Sequence, residues 1–135
     1  MTPTIMNEGV QPMLQAVVLV LLGGALGSVA RYLVTHFSSE ATRHHGFPYG
    51  TLIVNVVGSF LVGYILAWSA DHTHDRWRLF AATGFCGGFT TFSAFAYESM
   101  AYWHTSQISA LLLNVVLNNM LSFAAVILGI RSHSS

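Results

Sequence analysis

Apolar and polar positions divide the chain into four long hydrophobic runs, at about residues 13–37, 49–69, 77–103 and 108–130, separated by short polar links. Each run has the roughly 20 residues that an α-helix needs to cross the hydrocarbon core of a bilayer. The links are 38–48, with Arg43 and two histidines, 70–76, with Asp71 and Asp75, and 104–107. The pattern predicts one all-α integral membrane domain of four transmembrane helices over 13–131, preceded by a polar segment, 1–12, and followed by a short tail, 132–135. A bundle of that size encloses little volume, so a hydrated path shielded from lipid calls for a homo-oligomer.

The third run differs from the others. Gly84-Phe85-Cys86-Gly87-Gly88-Phe89-Thr90-Thr91-Phe92-Ser93-Ala94-Phe95 places helix-breaking glycines and a row of hydroxyls near its middle. In lipid every backbone N–H and C=O needs a partner, so irregular backbone survives only where protein buries it or where it lines an aqueous cavity. The segment therefore predicts a break between two half-helices, with Gly87, Gly88, Thr90, Thr91 and Ser93 as a candidate ion or substrate site. At such a break the first half-helix leaves carbonyl oxygens for a cation and the second leaves N–H groups for an anion. Phe92 and Phe95 fall on one helical face. Aromatic ring edges carry positive potential that suits a small anion, although a packing stripe has the same spacing.

Polar residues inside the other runs need an account, because an unpartnered amide or hydroxyl in an apolar medium costs roughly 1–3 kcal/mol. Asn55 and Ser59 lie one turn apart in the second run, while Asn114, Asn118 and Ser122 recur every four residues on one face of the fourth. Interhelical packing bonds and the lining of a pathway explain that track equally well. Gly23 with Gly27, and Ser59 with Gly63, have the small-xxx-small spacing that lets helices approach closely. Glu98 is the one acid inside a predicted helix, and Arg31 is the basic residue that reaches membrane depth. A structural ion pair between them is favoured over a proton-exchanging carboxylate.

Composition narrows the class further. The chain is 53% hydrophobic and 7% charged, which suits a membrane and not a solvated surface. Its five basic residues are all arginines, scattered at 31, 43, 76, 78 and 131 with zero net charge, which excludes a nucleic-acid surface. A single cysteine excludes an internal disulfide. The histidines of His44-His45 and His72-x-His74 sit in links without a ligand set to complete a metal site. No basic residue precedes the first run, so that run is expected to be retained and not cleaved as a signal. Arg76, Arg78 and Arg131 on one side, against Arg43 and Arg31, make a weak positive-inside bias that permits insertion either way and an antiparallel pair. No nucleophile, base and orienting group can be assembled from the spans, so an enzyme is not expected.

With these motifs in hand, the chain resembles the Fluc (CrcB) fluoride channels. The resemblance is carried by Gly23-Gly24-Ala25-Leu26-Gly27-Ser28-Val29-Ala30-Arg31-Tyr32, by Gly50-Thr51-Leu52-Ile53-Val54-Asn55 with Gly58-Ser59-Phe60, by Gly84 to Ser93, and by Phe95 with Glu98, in that order. It implies a passive, fluoride-selective channel of the inner (plasma) membrane that exports cytoplasmic fluoride. It also implies a dual-topology homodimer of two antiparallel subunits with two fluoride pathways. Gly87 and Thr90 match positions whose backbone carbonyls hold a structural sodium ion at the centre of the dimer. Phe92 and Phe95 match the phenylalanine pair along the fluoride route, Asn55 the pathway amide, and Thr91 and Ser93 the hydroxyl-bearing segment around the break. Asn118 and Ser122 match two hydroxyl positions of the fourth-helix track, and Asn114 stands where a tyrosine is common. Ala94 and Ala96 replace hydroxyl residues frequent in the family.

Two other classes compete. A small proton-coupled multidrug exchanger also has four spans but works through a glutamate in its first, and no Asp or Glu lies within 13–37. A transport-free membrane subunit accounts for the packing glycines and leaves the broken third helix unexplained.

Overall fold

The structure, a computed structural model, describes residues 4–41, 46–70 and 75–133, which are helices joined by turns and a few irregular or extended residues. Helix α1 spans Thr4–Ala41 and α2 spans Tyr49–Trp68. The third span is composite: α3 (Asp75–Trp77), a π-helical stretch (Arg78–Cys86), α4 (Gly87–Phe89) and α5 (Phe92–His104). Helix α6, Ile108–His133, completes the chain. Four stretches, Gln11–Ala41, Tyr49–Trp68, Asp75–His104 and Ile108–His133, are long and apolar enough to cross a membrane, in agreement with the hydropathy pattern. The first helix outruns its apolar core because Ser38, Ser39 and Glu40 contain no helix breaker, the next being Gly46 and Pro48. Arg43, His44, His45, Asp71, His72 and His74 lie outside the described residues.

Burial is inverted relative to a water-soluble bundle. Thr51, Thr91, Ser99, Asn114 and Asn118 are buried, while Leu21, Leu26, Phe37 and Phe123 are exposed. Lipid supplies no hydrophobic drive between apolar helices, so close packing and interhelical hydrogen bonds must hold the bundle together. Glycines make the closest approaches. The carbonyls of Phe80 and Phe85 press against Gly23 and Gly27, where any Cβ would collide with backbone, which confirms the packing role of that GxxxG pair. The same packing sets the π-helical stretch against α1.

Helices α2 and α6 form the other extensive contact, and they run parallel in fixed register. Asn55 bonds Asn118, and Gly63 packs on the backbone of Val126, each pair separated by the same step along the two helices. Gly129 meets the Phe60 carbonyl one turn further on. A Cβ at this contact would have to push backbone apart, an overpacking cost of about 1–3 kcal/mol. Gly129→Val is therefore expected to lower the detergent unfolding midpoint and broaden the size-exclusion peak. Gly24→Ala, whose Cβ meets its nearest atom at an ordinary 3.8 Å, should leave both unchanged. Equal behaviour of the two variants would contradict this packing.

Candidate functional site

The centre of the third span departs from helix at two residues. Thr90 (φ −81°, ψ 160°) and Thr91 (φ −152°, ψ 115°) are extended between α4 and α5. Local sequence favours this: Gly87 and Gly88 are weak helix formers, and two successive β-branched threonines suit an extended backbone. Thr91 then caps α5, its Oγ1 accepting the Ala94 N–H at 3.2 Å. Thr90 turns both its N–H and its hydroxyl back to the Cys86 carbonyl, each at 3.0 Å.

The extended backbone of Thr91 is satisfied by one side chain. Asn55 accepts the Thr91 N–H at 2.8 Å and donates to the Thr91 carbonyl at 3.2 Å, so its amide acts like the peptide of a neighbouring strand. Gly58, one turn away on α2, makes room, since a Cβ there would run into the Thr90 methyl group. A relay continues from Asn55. Its Nδ2 donates to Asn118 Oδ1 (3.0 Å), Asn118 Nδ2 donates to Asn114 Oδ1 (2.8 Å) and Asn114 O (3.2 Å), and Asn114 Nδ2 donates to Ser99 Oγ (3.1 Å). Ser99 closes it by donating to the Phe95 carbonyl at 2.8 Å. Both N–H bonds of the Asn55 and Asn118 amides are thereby engaged within the chain.

Two clefts flank this relay. The first, of about 370 Å³, is lined by Asn55, Thr91, Phe92, Phe95, Asn118 and Ser122, which brings together six of the residues expected along the pathway. The rings of Phe92 and Phe95 stand 5.5 Å apart, tilted by 57°, and Phe92 is 78% exposed. Ser93 opens instead to the second cleft, of about 780 Å³, which also holds Arg31, Thr51 and Glu98. Thr91 borders both, and its hydroxyl lies 3.1 Å from that of Ser93. Asn114 does not reach the first cleft: it is fully buried behind Asn118, on the far side of the relay.

Arg31 and Glu98 share the second cleft but do not pair among the described residues. Arg31 donates a long 3.5 Å bond to the Thr90 carbonyl, while Glu98 Oε1 takes the Thr51 hydroxyl and Oε2 is buried without a partner. The expected ion pair is thus replaced by two separate contacts, because a nearer neutral partner is available to each group.

Gly87 and Thr90, the positions expected to hold a cation, lie on either side of the end of α4. The Thr91 N–H, which the Gly87 carbonyl would receive if the helix continued, is given to Asn55. Gly87 is exposed, with open space where a Cβ would project. Sequence reasoning missed Ser99, Thr51 and the π-helical stretch. Ser99 lies four residues after Phe95 and so was legible as a back-bonding serine; the π geometry left no local signature.

Two extended threonines, held by an asparagine of a neighbouring helix, thus lie within a stretch long and apolar enough to cross a membrane. The family described as CrcB-like protein, Camphor Resistance (CrcB), matches residues 18–130. The chain belongs to the CrcB-like family. Among the relatives of this CrcB-like chain is a fluoride-specific ion channel FluC of Koribacter versatilis, 43% identical over 80% of this chain and 86% of the relative. Another from Pyrococcus furiosus is 41% identical over 86% and 94%. A third, from Parabacteroides distasonis, is 42% identical over 84% and 89%.

Removing the Asn55 amide leaves both backbone groups of Thr91 unmatched, at about 1–3 kcal/mol each. Asn55→Ala is expected to lower the unfolding midpoint clearly. Asn119→Ala should barely move it, because that exposed amide only bonds Val115 of its own helix. Equal midpoints in the two variants would show that Asn55 does not hold the extended segment.

Proposed function

We propose that the protein is a passive, highly fluoride-selective channel that exports cytoplasmic fluoride and so limits its toxicity. The observation that carries this reading is the first cleft, where hydroxyls, an amide and two phenylalanine rings converge on an interruption at membrane depth. The fluoride specificity in the names of its relatives supports it. A small, strongly hydrated anion gives up water only to several short donors, and a fixed positive charge along the route would hold it too tightly to leave. The first cleft contains no charged side chain. Ring edges of Phe92 and Phe95 offer positive potential without a counter-charge. The route runs past Asn55, Thr91, Phe92, Phe95, Asn118 and Ser122, with Ser93 at its mouth on the side of the second cleft and Asn114 as support.

The extended pair Thr90–Thr91 is read as the break of a discontinuous third helix. The working form is a dual-topology, antiparallel homodimer in the inner membrane, since the rings of Phe92 and Tyr97 stand 78% and 77% exposed beside the site and one chain leaves the first cleft open on one side. Gly87 and Thr90 suit a structural sodium ion at the dimer centre: both offer neutral carbonyl oxygens, and the carbonyl bonded by Arg31 retains a second lone pair. Carbonyls of Gly87 and Thr90 from both copies would hold such an ion, which would supply a positive charge shared between them. A proton-coupled exchanger is disfavoured because the described part of the first span, Gln11–Ala41, carries its only acid at its end, Glu40. A transport-free subunit has no use for the first cleft.

Phe92→Ile and Phe95→Ile are each expected to slow fluoride efflux from proteoliposomes at least tenfold while the size-exclusion profile is kept; undiminished efflux in both would remove the rings from the pathway. Replacing sodium by N-methylglucamine should lower the unfolding midpoint of the purified protein, and Gly87→Val should abolish that difference. A midpoint indifferent to sodium would exclude the central ion.

A further inference from the structure

Most hydroxyls of the described helices are engaged. Ser39, Ser69, Ser99 and Ser132 turn back to carbonyls of their own helix, as helical serines commonly do. Ser59 of α2 and Ser122 of α6 do not, nor do Ser28, Thr83 and Ser109, but only Ser59 and Ser122 of these face the first cleft. Both are half-buried in the first cleft, and neither has a hydrogen-bond partner among the described residues. The register of the parallel helices makes them a pair. Asn55 bonds Asn118, Gly63 packs on Val126, and Ser59 and Ser122 occupy the rung between, four residues from each neighbour on both helices.

The rung above is closed by the amide bond, and the rung below by backbone contact. Between them stand two hydroxyls that face one cleft without bonding each other. They share it with Phe92, Phe95 and Phe123, whose rings take no strong hydrogen bond from them. In contrast, both donors of the Asn118 amide are engaged within the relay, so that amide is not free to greet an ion. Apart from the Thr91 hydroxyl, which meets that of Ser93, and one N–H of the exposed Asn119, the available donors of the cleft are on the serine rung.

We infer that Ser59, together with Ser122, forms a two-hydroxyl stage that donates to the fluoride ion as it passes the phenylalanine pair, and that Ser59 is a further pathway residue. This rests on the channel reading above. Asn118 and Asn114 then act as positioning residues, holding Asn55 and Thr91 while the serines meet the ion. A hydrogen bond to a charged group is stronger than one between neutral groups, so losing one donor should be visible in transport.

The test is fluoride efflux from liposomes containing the full chain, measured with a fluoride electrode for wild type, Ser59→Ala, Ser59→Cys, Ser59→Thr, Ser122→Ala and the double alanine variant. Ser59→Ala and Ser59→Cys are expected to slow efflux by about tenfold. The cysteine variant keeps the volume but offers only a weak donor, so it carries the test if alanine impairs folding. Ser59→Thr, which keeps the hydroxyl, should stay within about threefold of wild type. The double variant should be slower by less than the product of the single effects, because both hydroxyls serve one ion. Wild-type efflux from Ser59→Ala and Ser59→Cys would overturn the inference and leave the channel reading standing. Equal slowing in Ser59→Thr, or strictly multiplicative effects, would overturn it in favour of packing or of separate sites. Absence of wild-type fluoride efflux would instead remove the channel reading itself.

Discussion

Everything in this bundle depends on how two extended residues are kept satisfied at membrane depth. Thr90 and Thr91 leave helical geometry inside a stretch long and apolar enough to cross a membrane, and the Asn55 amide takes both backbone groups of Thr91. Unmatched, those groups would favour a return to helix. With Asn55 in place the chain can turn hydroxyls, ring edges and carbonyls towards one region. The asparagine is thus first a backbone partner, and its place beside the first cleft follows from that duty.

The relay from Thr91 to Phe95 extends this constraint across three helices. Asn55 and Asn118 each donate to the next amide carbonyl oxygen and Asn114 to the Ser99 hydroxyl, so the hydrogen bonds run in one direction and fix the amide planes. Chains of this kind rigidify a core when complete and are costly when one member is lost. Here the relay returns to Phe95, whose ring lines the first cleft. The α2 side of the site and the phenylalanine on α5 are thereby positioned by the same bonds. Glycine contacts on both flanks, Gly23 and Gly27 against the π-helical stretch and Gly63 and Gly129 between α2 and α6, hold the helices close enough for side chains this short to meet.

Much of this was legible in the sequence because hydropathy and helix-breaking residues act locally. The lengths of the four spans follow from runs of apolar residues, and Gly87-Gly88 with Thr90-Thr91 marks where helix is disfavoured. The CrcB-like pattern was legible in the same blocks. Directionality was not legible: an asparagine on a helical face looks the same whether its NH₂ meets an ion or a neighbouring carbonyl, and only tertiary register decides it. Asn114, expected on the pathway, is buried and bonds Asn118 and Ser99 without lining the first cleft. Arg31 and Glu98 read as a pair because they were the charged groups at depth, whereas the fold gives each a different partner. The π-helical stretch Arg78–Cys86 is likewise a product of packing against α1.

The central claim is that this site passes fluoride and rejects larger anions. It is tested most directly by reconstituting the purified protein into liposomes loaded with fluoride or with chloride, relieving the membrane potential with valinomycin, and following ion loss with selective electrodes. The account predicts rapid fluoride loss with chloride retained. Retention of fluoride by vesicles containing monodisperse protein, or loss of both anions at comparable rates, would contradict it.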